Sequence, residues 1–146
     1  MTTLAEAAYL ARDEQGLAVV STLRADGTIQ SSLVNAGVLP HPSTGEPSLA
    51  FVTYGKVKLA NLRVRPQLSA TFRRGWQWAT VEGEAELAGP DDPQAWLDSE
   101  GLRLLLRAVF VAAGGTHDDW DEYDRVMAEQ RRTVVLVNPT RVYSNS

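Results

Sequence analysis

The chain has 146 residues, 44% hydrophobic and 22% charged, with a net charge of −4 and no cysteine. That size and balance suit one soluble globular domain with a single sizeable core. The acidity speaks against general binding to nucleic acid or an anionic membrane surface, and the missing cysteine removes disulfides, thiolate metal sites and thiol nucleophiles.

The chain opens with Leu4, Ala7, Ala8 and Ala11 at helical spacing, which predicts a short amphipathic helix over 3–14. Thr2 or Thr3 would cap it and Gln15-Gly16 would end it. Its acids and the lack of a basic n-region set it apart from a signal peptide, and a cytoplasmic protein is expected. LAVVSTL, residues 17–23, is a short apolar run with β-branched residues and predicts a buried strand. Asp26-Gly27 is hairpin-turn chemistry, and residues 28–39 form the partner strand, with Gly37 as a possible bulge.

A third strand is expected over 48–54, then a short helix over 58–65 closed by Arg65-Pro66. Strands over 67–73 and 76–87 flank an Arg74-Gly75 turn. A long helix follows over roughly 93–113, with Leu102, Leu105, Leu106, Val109 and Phe110 as its apolar stripe. A second helix over about 118–131 carries acids in its first turn, where the helix dipole favours them. The last strand, 133–143, is expected to break at Pro139. Mostly antiparallel strands joined by hairpins favour a β-barrel or roll, because closure removes the sheet edges.

One stretch departs from the overall charge. Residues 51–78 contain two lysines, four arginines and no acid, whereas the rest of the chain sets eight basic residues against eighteen acids. Charge of one sign concentrates its opposite, so the island predicts an anionic ligand. Gly55, Lys56, Lys58 and Asn61 surround the start of the short helix, whose free N–H groups suit a phosphate; a solvated basic turn is the plainer alternative.

Two strands add candidates. Gln30 and Ser32 share one face of the second strand, with Asn35 on the other; such polar side chains either bond the edge of a heterocycle or face water. In the fifth strand Gln77, Ala79, Val81, Gly83, Ala85 and Leu87 should face the core. Trp76 and Trp78 fall on the opposite, polar face, where a partner subunit, a planar ligand or a neighbouring helix could cover them.

Other chemistry is poorly represented. His41 and His117 have no ligand spacing, so no metal site is expected. The acids at 118–124 read as a solvated first turn. No serine has a G-x-S-x-G context, and there is no G-x-G-x-x-G or Walker motif.

The segments LAVVSTLRADGTIQSSLVNAG, FVTYGKVKLANLRVRPQLSATF and GWQWATVEGEAEL, in that order, resemble the pyridoxamine-phosphate-oxidase-like split β-barrel superfamily. They resemble most its actinobacterial branch of deazaflavin (coenzyme F420)-dependent oxidoreductases, as does the tail DDWDEYDRVMAEQRRTVVLVNPTRVY. The resemblance implies a mainly β fold, a split β-barrel with α-helices like that of FMN-binding proteins, in a homodimer with cofactor sites at the interface. It implies that Lys56, Lys58 and Asn61 grip a cofactor phosphate, and that Gln30, Ser32 and Thr53 lie beside the ring system. Trp76 and Trp78 would lie near the site or the dimer contact, and Arg131-Arg132 would approach from the other subunit. The implied cofactor is F420, with FMN as the alternative and haem as a further possibility in the superfamily. Reduced F420 would pass hydride to a small electron-poor acceptor, with no protein nucleophile needed. Its polyglutamate tail would give Arg63, Arg65, Arg73 and Arg74 a use as an anionic rail.

Overall fold

The computed structural model describes all residues, 1–146. Six antiparallel strands close into a barrel in the order β1-β2-β3-β6-β5-β4. They are β1 (Leu17–Leu23), β2 (Ile29–Pro40), β3 (Pro47–Thr53), β4 (Gln67–Arg74), β5 (Gln77–Ala88) and β6 (Thr133–Ser144). The helices are α1 (Leu4–Tyr9), α2 (Lys56–Val64), α3 (Ser99–Ala112) and α4 (Trp120–Glu129). None is long and apolar enough to cross a membrane.

Alternation along the strands divides the apolar residues into two cores. Inward-facing Val20, Val34, Phe51, Phe72, Val81 and Val137 fill the barrel, together with Ala7 and Ala11 from the N-terminal segment and Leu59 and Leu62 from α2. Phe51 and Phe72 are fully buried, and each such side chain contributes roughly 1.5–3 kcal/mol by leaving water. Ala50, Val134 and Leu136 face outward and meet Leu105, Leu106, Val109 and Tyr123. The α3–α4 pair is therefore a second layer on the outer face of β3 and β6.

Several local expectations change. The first helix ends at Tyr9 and a 3-10 turn, Arg12–Glu14, follows it; Thr3 forms a full capping box with Glu6. The helix expected from 93 starts only at Ser99, because Asp98 caps it by accepting from Gly101 N at 2.7 Å. The preceding loop instead makes two isolated bridges, Gly89↔Asp92 and Gln94↔Leu97. Gly37 is not a bulge: it keeps its register with Ala50, and a Cβ there would lie 2.3 Å from the backbone of Ala112. It is the place where the end of α3 approaches the sheet. The irregularity is in β6, where the register slips between Glu82 and Gly83 and skips Thr140. A strand that bulges beside Pro139 tolerates a residue without an N–H, so β6 runs on unbroken.

The acids expected to form a solvated first turn include one with a structural role. Asp124 accepts hydrogen bonds from Arg107 Nε and Arg103 Nη1, both at 2.9 Å, and so ties α4 to α3. The Arg107 bond, with Arg103 helping, holds the Asp124 carboxyl below its usual range. A depressed carboxyl stabilises the fold above its ordinary pKa, and the contribution fades as pH falls through the folded value. We expect Asp124→Asn to cost about 1 kcal/mol at neutral pH and nothing at a pH below the folded value. Urea midpoints at neutral and acid pH check both halves.

Candidate functional site

The candidate site is built around the start of α2. Gly55 is the N-cap and provides no side-chain cap, so the first-turn N–H groups remain available. Gly55 N donates to Thr53 Oγ1 at 3.2 Å, which bends the chain out of β3 and into the helix.

Lys58 then points inward and is only 5% exposed. Its ammonium donates to Thr53 Oγ1 at 3.3 Å and sits 5.7 Å from the centroid of the Phe51 ring. It has no ion pair: every carboxylate within 4.0 Å of a basic group in this protein is paired with some other residue. An ammonium has three donors, and here a single protein acceptor serves it. Burial pushes its pKa below the ordinary lysine value. A buried, unpaired cation is costly in isolation and is the expected signature of an anion site. Lys56, two residues earlier, is exposed and likewise has no carboxylate partner.

A second polar chain lies on the same side of the barrel. Asn61 Nδ2 donates to Thr22 Oγ1 at 3.0 Å, and Thr22 Oγ1 donates to Gln30 Oε1 at 3.2 Å. The β1–β2 register makes this possible, because it sets Thr22 opposite Gln30 and Val20 opposite Ser32. Ser32 Oγ is buried with no hydrogen-bond partner at all. Buried hydroxyls are normally satisfied, so Ser32 Oγ calls for a partner from outside the chain, a water or a ligand atom. Thr22 was not among the predicted residues. Its only sequence signal is its place beside Ser21 in a largely apolar strand.

The structure thus joins Thr53 with Lys58, and Asn61 with Gln30 through Thr22. It places the tryptophans elsewhere. Trp76 tops the β4–β5 hairpin and is 95% exposed. Trp78 packs edge-on against Tyr143 with centroids 6.1 Å apart, and Asn145 bonds the backbone of both tryptophans. Arg131 pairs with Asp91 at 2.6 Å, and Arg132 stacks on Tyr54 of its own chain, 3.9 Å from the ring centroid.

Half of the arginine rail is paired with acids of the same chain. Arg63 makes a two-pronged bond to Asp92 at 2.9 and 2.7 Å, and Arg74 pairs with Asp13 at 3.2 Å. Arg65 Nε donates to Leu23 O at 2.9 Å. Arg73 reaches only Gly75 O, at 3.5 Å, so the island is acid-free along the chain but not in space, and the excess that persists lies at Lys56, Lys58, Arg65 and Arg73.

No protein-family model matches the chain. Solved structures do. A conserved hypothetical protein from Mycobacterium tuberculosis superposes with a TM-score of 0.68 at 20% identity, over 99% of this chain and 84% of that one. An FMN-binding protein related to pyridoxamine 5'-phosphate oxidase, from Nostoc punctiforme, gives 0.62 at 14% identity, over 99% and 86%. An F420 reductase gives 0.57 at 17% identity, over 87% and 88%. At these identities what is shared is the architecture, and function must be argued from the site. The closed six-stranded barrel with its outer helix pair has the split-barrel fold of the pyridoxamine 5'-phosphate oxidase-like, FMN-binding proteins.

Proposed function

We propose that this chain is an oxidoreductase that binds coenzyme F420 through its phosphate and serves hydride transfer to a small electron-poor acceptor. The observation that carries this is Lys58, a buried ammonium with no carboxylate partner beside a helix N-terminus. Lys58 and the first-turn N–H groups of α2 would hold the phosphate, with Lys56 adding charge at the rim. Thr53 accepts from two donors and so keeps its own proton free to donate. Ser32 and Gln30 would meet polar edges of the ring system. When bound and reduced, the deazaflavin supplies the hydride; the protein's part is to orient it and keep water away. The fold shared with an F420 reductase and with FMN-binding proteins is consistent with a cofactor of this kind.

A homodimer belongs to the same proposal. Trp76, Trp78 and Tyr143 are exposed at one end of β5–β6, and Val19, Ile29 and Leu33 are exposed on the outer face of β1–β2. Large apolar groups in this density on a sheet face suit a second copy.

FMN is the second reading, and one observation favours it. Two of the four arginines of the expected rail already hold acids, which reduces the charge left for a glutamate tail. Titration of tryptophan fluorescence with F420 and with FMN separates the two. Tighter F420 binding is expected, lost in Lys58→Ala. Tighter FMN binding would replace the first reading by the second, and binding of neither would sink both.

A further inference from the structure

A separate cavity of about 670 Å³ lies between the outer face of β2–β3 and the α3–α4 layer. This is the size of a pocket for a small organic molecule. Asn35 and Val52 line it from the sheet, Phe110, His117 and Tyr123 from the helical layer, and Arg132 from the end of α4. Of the residues that the resemblance sets near a cofactor only Arg132 lines it; Lys56, Lys58, Asn61, Gln30, Ser32, Thr53, Trp76 and Trp78 do not.

Most of its polar groups are already committed. Tyr123 Oη donates to Leu106 O at 2.8 Å, and burial pushes its pKa up to about 12, so it does not release a proton. Asn35 Nδ2 donates to Gln15 O at 3.0 Å. His117 Nδ1 accepts from Asp119 N at 2.9 Å, which leaves Nε2 as the donor of the neutral ring. Arg132 is different. It is half-buried, its Nε donates to Gln130 Oε1 at 2.8 Å, and no carboxylate lies within 4.0 Å of it. Its stacking on Tyr54 fixes the plane of the guanidinium and leaves the Nη groups unpaired. Glu122 is the one acid among the lining residues, and it is exposed. The apolar part of the pocket is aromatic: Phe110 lies 5.1 Å from Tyr123 and 6.3 Å from His117 between centroids, and Tyr123 lies 5.7 Å from His117.

One fixed, unpaired guanidinium beside a cluster of rings defines a ligand class. We propose that this cavity binds a planar aromatic or conjugated monoanion, its carboxylate on Arg132 and its ring plane against Phe110, His117 and Tyr123. Binding at this cavity is independent of the cofactor site proposed above, because Gln30, Ser32 and Thr53 face the barrel interior whereas Asn35 and Val52 face outward.

The probes are 2-naphthoate and its neutral counterpart 2-naphthamide, titrated by calorimetry into the protein without cofactor. Naphthoate is expected to bind about tenfold tighter, as a charge-assisted bidentate contact requires. Arg132→Gln should erase that preference, Arg132→Lys should keep part of it, and Lys58→Ala should leave it intact. Equal binding of the two probes, or no naphthoate binding at millimolar concentration, overturns the proposal. So does a preference lost in Lys58→Ala and kept in Arg132→Gln, because naphthoate would then occupy the α2 site. The F420 and FMN titrations are read separately, so a failure of this pocket and a failure of the cofactor site are told apart.

Discussion

Replacing Lys58 by Met should make the ligand-free protein more stable and strongly weaken its binding of the cofactor. The two effects have one cause. Lys58 buries a charge 5% exposed, held by one hydroxyl and faced by no acid. Met fills a similar volume with no charge to desolvate, and exchanging buried ionic groups for well-packed apolar ones commonly gains about 1–4 kcal/mol. An ordinary core mutation does the opposite and destabilises. On the binding side, losing a charged phosphate contact costs about 2–4 kcal/mol, a factor of roughly 30 to 1,000 in affinity. The pH dependence follows from the direction of the shift. Burial lowers the folded-state pKa of Lys58 below its ordinary 10.5. Below the folded value both states carry the proton and the burial cost is felt in full. As pH rises through it toward 10.5, the folded state sheds the proton first and the cost is relieved. Wild-type stability should therefore gain ground on Lys58→Met with rising alkaline pH, while phosphate affinity falls over the same window. Urea denaturation and cofactor titration across that range measure both. A variant less stable than wild type at neutral pH would show that Lys58 is a satisfied structural group and remove the anion argument.

Much of the barrel was legible because its signals are local. The run Leu17–Leu23 has the strand bounds expected of it, and the alternation in β5 correctly assigned Ala79, Val81 and Leu87 to the interior. The short basic helix was also in place, though it begins at Lys56, directly after its N-cap Gly55, rather than at Lys58. What escaped depends on distant parts of the chain. Asp92 and Asp13 neutralise Arg63 and Arg74, and no reading of residues 51–78 contains either acid. Thr22 becomes a node between Asn61 and Gln30 only once β1 pairs with β2 and α2 packs beneath them. The pocket beside α4 gathers residues from Gln15 to Arg132, so no window along the sequence could outline it.

The two candidate pockets approach one another at one point. Tyr54 directly follows Thr53 and precedes Gly55, and its ring carries Arg132 of the other pocket. The residue pair Tyr54–Arg132 thus links the α2 site to the cavity under α3–α4. The two sites lie on opposite faces of the sheet, and the Tyr54–Arg132 stack is the contact through which a change at one would be felt at the other.

Gly16→Ala should be the most damaging single-methyl change near this region, costing about 3 kcal/mol or more. Two independent penalties meet there. Gly16 has φ +68, in the left-handed region that a Cβ disfavours, and it follows Gln15, itself at φ 52. A Cβ at Gly16 would also lie 2.0 Å from Ala36 O, a backbone atom that cannot rotate away. The backbone around it is fully used: Gly16 N donates to Ala11 O at 3.0 Å, and Ala36 N donates to Gly16 O at 2.9 Å. Relief would require β2 to withdraw, which breaks the bond from Asn35 to Gln15 O and opens the sheet side of the cavity. For a domain of this size the loss corresponds to a fall in melting temperature of roughly 10 °C. Gly27→Ala is the control, since Gly27 also has positive φ, +84, but a Cβ there meets nothing within 4 Å. It should cost only the conformational part, about 1 kcal/mol. Equal melting temperatures for the two variants would show that the contact with Ala36 relaxes freely and that the N-terminal segment does not hold β2 in place.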